Sequence, residues 1–143
     1  MSNIILQTGA ILPLLVFAHF ITDWVFQTHN TAMEKHKNWR VLGFHSLIYS
    51  CLMTWTCWFL KGQPVFITTT GQILSLLFVS HFIEDTYIPV YLWMKYIRKV
   101  PLVKRREDFA EYVKTPLGCV LAITIDQIIH IIFLIPIAYI LVR

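Results

Sequence analysis

The run Leu76-Leu77-Phe78-Val79-Ser80-His81-Phe82-Ile83-Glu84-Asp85 decides how this chain is read, because an earlier run anticipates it. The earlier copy is Leu14-Leu15-Val16-Phe17-Ala18-His19-Phe20-Ile21-Thr22-Asp23. The two share Leu-Leu, then His-Phe-Ile, then Asp at matching places. Each sets a histidine and a carboxylate four residues apart inside an otherwise apolar run. On a helix those positions share a face, about 6 Å apart along the axis. Ionisable side chains are costly in apolar surroundings, so a pattern that carries them twice points to a functional site built from two halves.

Composition sets the environment. Of the 143 residues, 57% are hydrophobic and 14% charged, and the mean hydropathy is +0.62. A soluble domain of this size carries about 25% charged residues. The chain therefore reads as an all-α polytopic membrane protein forming a single domain over 1–143. Four segments are long enough to cross the bilayer, which takes about 20 helical residues. They run at 4–26, 41–60, 65–93 and 117–142, with Pro13, Pro89 and Pro136 as expected disturbances. The repeat pairs them as two related helical hairpins, clear between spans one and three and weak between two and four. The first run follows no basic segment and contains His19 and Asp23, so it reads as a retained span rather than a cleaved signal. Cys51, Cys57 and Cys119 form no CxxC pair and read as small apolar residues, not as a disulfide or zinc framework.

Ten of the twelve Lys and Arg fall in the loops 27–40 and 94–116. The positive-inside rule makes both loops cytoplasmic and puts both termini outside. Trp24, Trp39, Trp55, Trp58 and Trp93 fall near span ends, as an aromatic belt would place them. The stretch from Lys95 to Thr115 fixes orientation and is expected to lie at the interface, with a short amphipathic helix over 106–114. It could also attract anionic lipid or a phosphorylated substrate. Specific nucleic-acid binding is not expected.

Four of the eight acids, Asp23, Glu84, Asp85 and Asp126, lie in or at the edge of the spans, as do His19, His45, His81 and His130. Asp126-Gln127-Ile128-Ile129-His130 repeats the four-residue spacing in reverse order, and span four runs in the reverse direction. Three helices thus stack histidines in one layer and carboxylates one turn nearer the cytoplasm, with His45 entering near the carboxylates. Imidazole and carboxylate are ligands for zinc, manganese and iron, and bundles build such sites from facing helices. Seven candidate ligands suffice for one divalent ion or two. The repeat divides them as His19, Asp23 and His45 against His81, Asp85 and His130, with Asp126 bridging. Gln27, Gln127 and Glu84 would support these ligands; Gln27 could also face substrate, and Glu84 points about 100° away from Asp85 on its helix. The competing view is a purely structural polar core. Interhelical polar contacts in membranes average about 0.6 kcal/mol, a small return for so many ionisable groups.

On these residues the chain resembles a family of small bacterial and phage integral membrane proteins built on a domain of unknown function. The resemblance rests on His19-Phe-Ile-Thr-Asp23-Trp-Val-Phe-Gln27, on Lys37 and His45, on the His81–Asp85 pair and on Asp126-Gln127-Ile-Ile-His130. It covers most of the chain and is thinnest across the external turn and the second basic loop. It implies a four-helix protein of a bacterial inner membrane, phage-encoded in some cases, and brings no activity with it. Three functions fit the residues. A metal-dependent hydrolase of a lipid-linked or phosphorylated substrate would use Asp23, Asp85 and Asp126 as ligands or base, since no serine or cysteine stands near with a nucleophile signature. A metal-ion or proton transporter would use the same ladder as a relay, although 4–12 and 131–140 carry no acid, histidine, lysine or arginine to continue it, unless a homodimer supplies one. A non-enzymatic phage membrane protein would act through its loops.

Overall fold

The computed structural model describes residues 2–62 and 67–143, all its regular elements being helical. The expected start of the third span at 65 and the Gln63-Pro64 part of the external turn lie outside the described residues. Helix α1 (Ser2–Phe20) passes into a π turn (Ile21–Val25), closed by the Phe26 N–H donating to Ile21 O at 3.3 Å. A short helix α2 (His29–Glu34) follows, begun by Thr28, whose hydroxyl accepts from the Thr31 N–H. Helix α3 (Trp39–Lys61) starts on the side chain of Asn38 and stops at Gly62, which takes the left-handed conformation (φ 68°) that glycine adopts without strain.

Helix α4 (Ile67–Glu84) and α5 (Ile88–Leu92, continuing through a π turn at Trp93–Ile97) meet at a bend of 54°. The proline disturbs the helix as its position predicts, by allowing no N–H at Pro89 and pushing the preceding residues out of helical geometry. The hinge residue is Tyr87, held at φ 60°, an uncommon conformation for a side-chain-bearing residue. Helix α6 (Arg106–Tyr112) lies within the stretch expected to be amphipathic, with Phe109 buried. Helix α7 (Pro116–Val142) starts with proline in its first turn and Thr115 as cap. Its Gly118 is required by space: a Cβ there would run into the backbone carbonyl of Tyr112.

Helix α1 packs along α7 and α3 along α4, and α4 touches α7. Two apolar clusters result. Leu15, Met53, Ile73, Leu77, Leu134 and Ile137 fill one; Val90, Met94, Val103, Phe109, Ala122 and Ile125 fill the other. The buried ionisable groups lie between them. The helices at Asn3–Val25 and Pro116–Val142 are long and apolar enough to cross a membrane, and a third span results if the bent pair Ile67–Glu84 and Ile88–Ile97 counts as one. Helix α3 has the length, but His45, Ser46, Ser50 and Thr54 on its buried face dilute its apolar character. The outer faces expose Phe17, Phe44, Val79 and Val120, each more than half accessible. Water does not favour such a surface, whereas hydrocarbon does.

Candidate metal centre

Three helical elements deliver one buried set of four donor atoms. Asp23 comes from the π turn after α1, His45 from α3, and His81 and Asp85 from the end of α4. The His45 Nε2 atom lies 3.0 Å from Asp23 Oδ1, 3.3 Å from Asp85 Oδ2 and 3.1 Å from His81 Nε2. His81 Nε2 is 3.3 Å from Asp85 Oδ2 and 3.7 Å from Asp23 Oδ1. Ligand atoms bound tetrahedrally to one ion at about 2.0–2.2 Å lie roughly 3.3–3.6 Å from each other. The observed separations bracket that range. All four atoms are buried, and each can offer a lone pair.

Proton bookkeeping through the neighbouring rings points the same way. His130 Nδ1 donates to the backbone carbonyl of Asp126 at 2.8 Å. With the rings neutral, His130 Nε2 is then an acceptor and takes the Nδ1 proton of His81 at 3.1 Å. That leaves His81 Nε2 as a bare lone pair facing two carboxylate oxygens and another imidazole. One proton on His45 Nε2 cannot serve both Asp23 and His81, while Asp85 takes the Lys35 ammonium at 2.8 Å. A cation at the middle of the set can.

Around this set lie two overlapping groups, His81 with Glu84 and His130, and Asp85 with Asp126 and His130. Glu84 Oε2 reaches to 3.2 Å from His130 Nε2. Glu84 Oε1 and Asp126 Oδ1 are buried without a hydrogen-bond partner, an unusual condition for polar atoms. Beside the centre opens a cavity of about 360 Å³ whose walls include Asp23, Asp85, Asp126, Gln27, Lys35 and His36.

Residues 11–143 match the family described as "Protein of unknown function (DUF3307)". The chain belongs to this family. The match takes in every residue of the centre, so the DUF3307 region and the buried constellation coincide. No curated protein and no solved structure matches the chain.

Within this DUF3307 fold the expected ligands separate into two roles. Asp23, His45, His81 and Asp85 converge as described, and His130 and Asp126 lie one contact away. His19 does not join them. Its Nδ1 is 3.0 Å from the Tyr49 hydroxyl and its Nε2 3.1 Å from Gln127 Oε1, while Gln127 Nε2 donates to Asp126 Oδ2 at 3.1 Å. The two copies also differ locally: a π turn begins at Ile21, between His19 and Asp23, whereas α4 runs on past His81 to Glu84. In α4 no such turn intervenes, and His81 and Asp85 stay on one face. The simple partition by hairpin therefore does not describe the geometry, since the tightest set takes Asp23 and His45 from one half and His81 and Asp85 from the other. Gln27 Nε2 lies 3.3 Å from His45 Nε2, at the cavity wall.

Two members went unread in the sequence. Lys35 is only 8% exposed, with Nζ 2.8 Å from Asp85 Oδ2 and 3.7 Å from Asp23 Oδ1. Counted among the orientation-setting loop cations, it carried no distinguishing signal except the surplus of acids needing a counter-charge. Tyr49 stacks on His81 with ring centres 3.7 Å apart and planes 8° from parallel. It stands four residues after His45, so helical spacing could have found it. His36, outside the apolar spans, donates through Nδ1 to Asp85 O at 2.9 Å. Partial burial holds its imidazole below the ordinary range, against that hydrogen bond, which acts in the opposite sense.

Proposed function

We propose that this chain crosses the bacterial inner membrane four times, both termini outside, and holds a divalent ion near the cytoplasmic face as a metal-dependent hydrolase of a lipid-linked or phosphorylated substrate. Zinc, manganese and iron suit the donor set. The observation that carries the reading is the convergence of Asp23, His45, His81 and Asp85, with donor separations of 3.0–3.7 Å about the two imidazoles, beside an open cavity. An ion bound there would lower the pKa of a water and polarise a phosphoryl or acyl oxygen.

The chain's own groups divide the remaining work. Asp23 and Asp85 neutralise the ion, and the His81–His130–Asp126 chain fixes the lone pair that His81 presents. Asp126 lines the cavity beside Asp85 and would take the proton of a water entering there. Glu84, through His130, supports the second ligand layer and would help hold a second ion. The substrate's anionic head is drawn by the basic stretch from Lys95 to Lys114, and the apolar outer faces keep the cavity at the level where lipid headgroups meet water.

Elemental mass spectrometry of detergent-purified protein, wild type beside His81→Ala and Asp85→Asn, tests this. Near-stoichiometric metal that falls in both variants, followed by turnover in a screen of lipid phosphates, is the expected result. Wild-type protein that stays metal-free after supplementation would remove the hydrolase reading and leave a structural or proton-conducting core.

A further inference from the structure

We propose that Lys35 is a tethered counter-ion that an incoming divalent cation must displace, and that the displaced ammonium then binds the phosphoryl group of the substrate in the adjoining cavity. This rests on the metal reading above and extends it to the substrate's own chemistry.

Three observations carry it. Lys35 Nζ occupies the same two oxygens that complete the four-atom set, Asp85 Oδ2 at 2.8 Å and Asp23 Oδ1 at 3.7 Å. An ammonium and a divalent ion cannot share these oxygens, because their mutual repulsion at such range in a poorly screened site exceeds what either gains from sharing. The lysine is also placed to leave. It follows the six-residue helix α2 on a flexible four-carbon stem, and it lines the 360 Å³ cavity itself. The head group can therefore swing off the carboxylates without leaving the protein.

The charge of the cavity gives the swing its purpose. Asp23, Asp85 and Asp126 make that wall acidic, and Lys35 is the one ammonium or guanidinium among its described lining residues. With Lys35 on the aspartates, the cavity repels a phosphate. With the aspartates engaged by a divalent ion, the same lysine stands free beside Gln27 and Thr28 and faces the space an anion would fill. Lysine serves phosphate as a point charge, which demands no fixed fork geometry and suits a mobile head. The ligand chemistry is a phosphoryl dianion, either free or as a lipid headgroup.

The experiment uses full-length protein in phosphatidylcholine nanodiscs, with zinc delivered against a competing chelator. Lys35→Met should bind zinc more tightly than wild type, on the order of tenfold, the reverse of what loss of a supporting residue does. Zinc-loaded wild type should bind orthophosphate, or phosphatidate added to the disc, roughly tenfold better than Lys35→Met, while Lys35→Arg keeps that binding. Response to orthophosphate identifies a free phosphate as the ligand; response to phosphatidate alone identifies a lipid headgroup. In unmutated protein, peptide mass spectrometry after amine acylation should find Lys35 protected without zinc and labelled with it, which keeps the test independent of any variant's folding. Zinc binding by Lys35→Met no tighter than wild type, or labelling of Lys35 unchanged by zinc, would overturn the displacement. Tighter zinc with unaltered binding of both phosphates would overturn the second role. Absence of zinc binding in wild type and variant alike would instead overturn the metal reading and this proposal together.

Discussion

Asp85→Asn and Asp126→Asn make the same chemical change one contact apart, and the geometry assigns them opposite consequences. Asp85 Oδ2 lies 3.3 Å from both His45 Nε2 and His81 Nε2 and 2.8 Å from Lys35 Nζ. Asparagine there keeps the volume but removes one of four ligands and half the negative charge that would face the ion. Removing even an outer partner of a metal ligand costs about 10–100-fold in affinity, so loss of a ligand should cost at least about 100-fold, or roughly 2.7 kcal/mol. Asp126 lies outside the four-atom set, grouped instead with Asp85 and His130, its carboxylate oxygen 3.8 Å from His130 Nδ1. Asp126→Asn should therefore hold metal within about tenfold of wild type while losing turnover, since its role is with the entering water. A chelator-competition titration of both variants in detergent measures the two affinities, and circular dichroism confirms that each is folded. Equal losses in the two variants would refute the assignment of Asp85 to the set and Asp126 to the cavity, and would restore Asp126 as a bridging ligand.

His130→Ala frees His81 Nδ1 from its acceptor, so His81 loses its fixed orientation; metal affinity should fall about 10–100-fold in the same titration, although His130 lies outside the tightest set. Gly118→Ala puts a methyl group against the carbonyl of Tyr112 and forces α6 and α7 apart, which should destabilise the protein by about 1–3 kcal/mol in a denaturant titration, with metal content per folded molecule unchanged. For the topology, Asn3→Cys and Lys104→Cys in a background lacking Cys51, Cys57 and Cys119 should react with an impermeant maleimide from opposite sides, Asn3→Cys from outside and Lys104→Cys only in inverted vesicles. Reaction of both from one side would break the four-span arrangement.

The helical class and the apolar character of α1 and α7 could be read directly, because length, hydropathy and spacing report the same thing at each position. The kink near Pro89 was legible for the same reason: the missing N–H is written in the letter. The pairing of His81 with Asp85 followed from regular helix geometry. The matching pair His19 and Asp23 did not follow it: His19 meets Tyr49 and Gln127 instead, and no residue type in Ile21–Val25 announces the π turn between them. Lys35 was hidden by a different cause. Its loop position made it one of several cations, and only the folding of α2 back over the helix ends brings it to Asp85 across a separation of 50 residues. The helix expected over 41–60 is α3, Trp39–Lys61, but its hydroxyls lie on the buried face and carry no mark of the side they take.

The π turn after α1 has a consequence for how a duplicated motif can evolve. Two copies of the same letters need not stay interchangeable, because a change in winding alters which neighbour each side chain meets while the His-Phe-Ile-x-Asp text is preserved. One copy here keeps its histidine in the ligand set; the other sends it to hold Tyr49 and Gln127. A bundle assembled from two similar halves thus acquires a front and a back, and an ion entering it would meet one orientation rather than two equivalent ones.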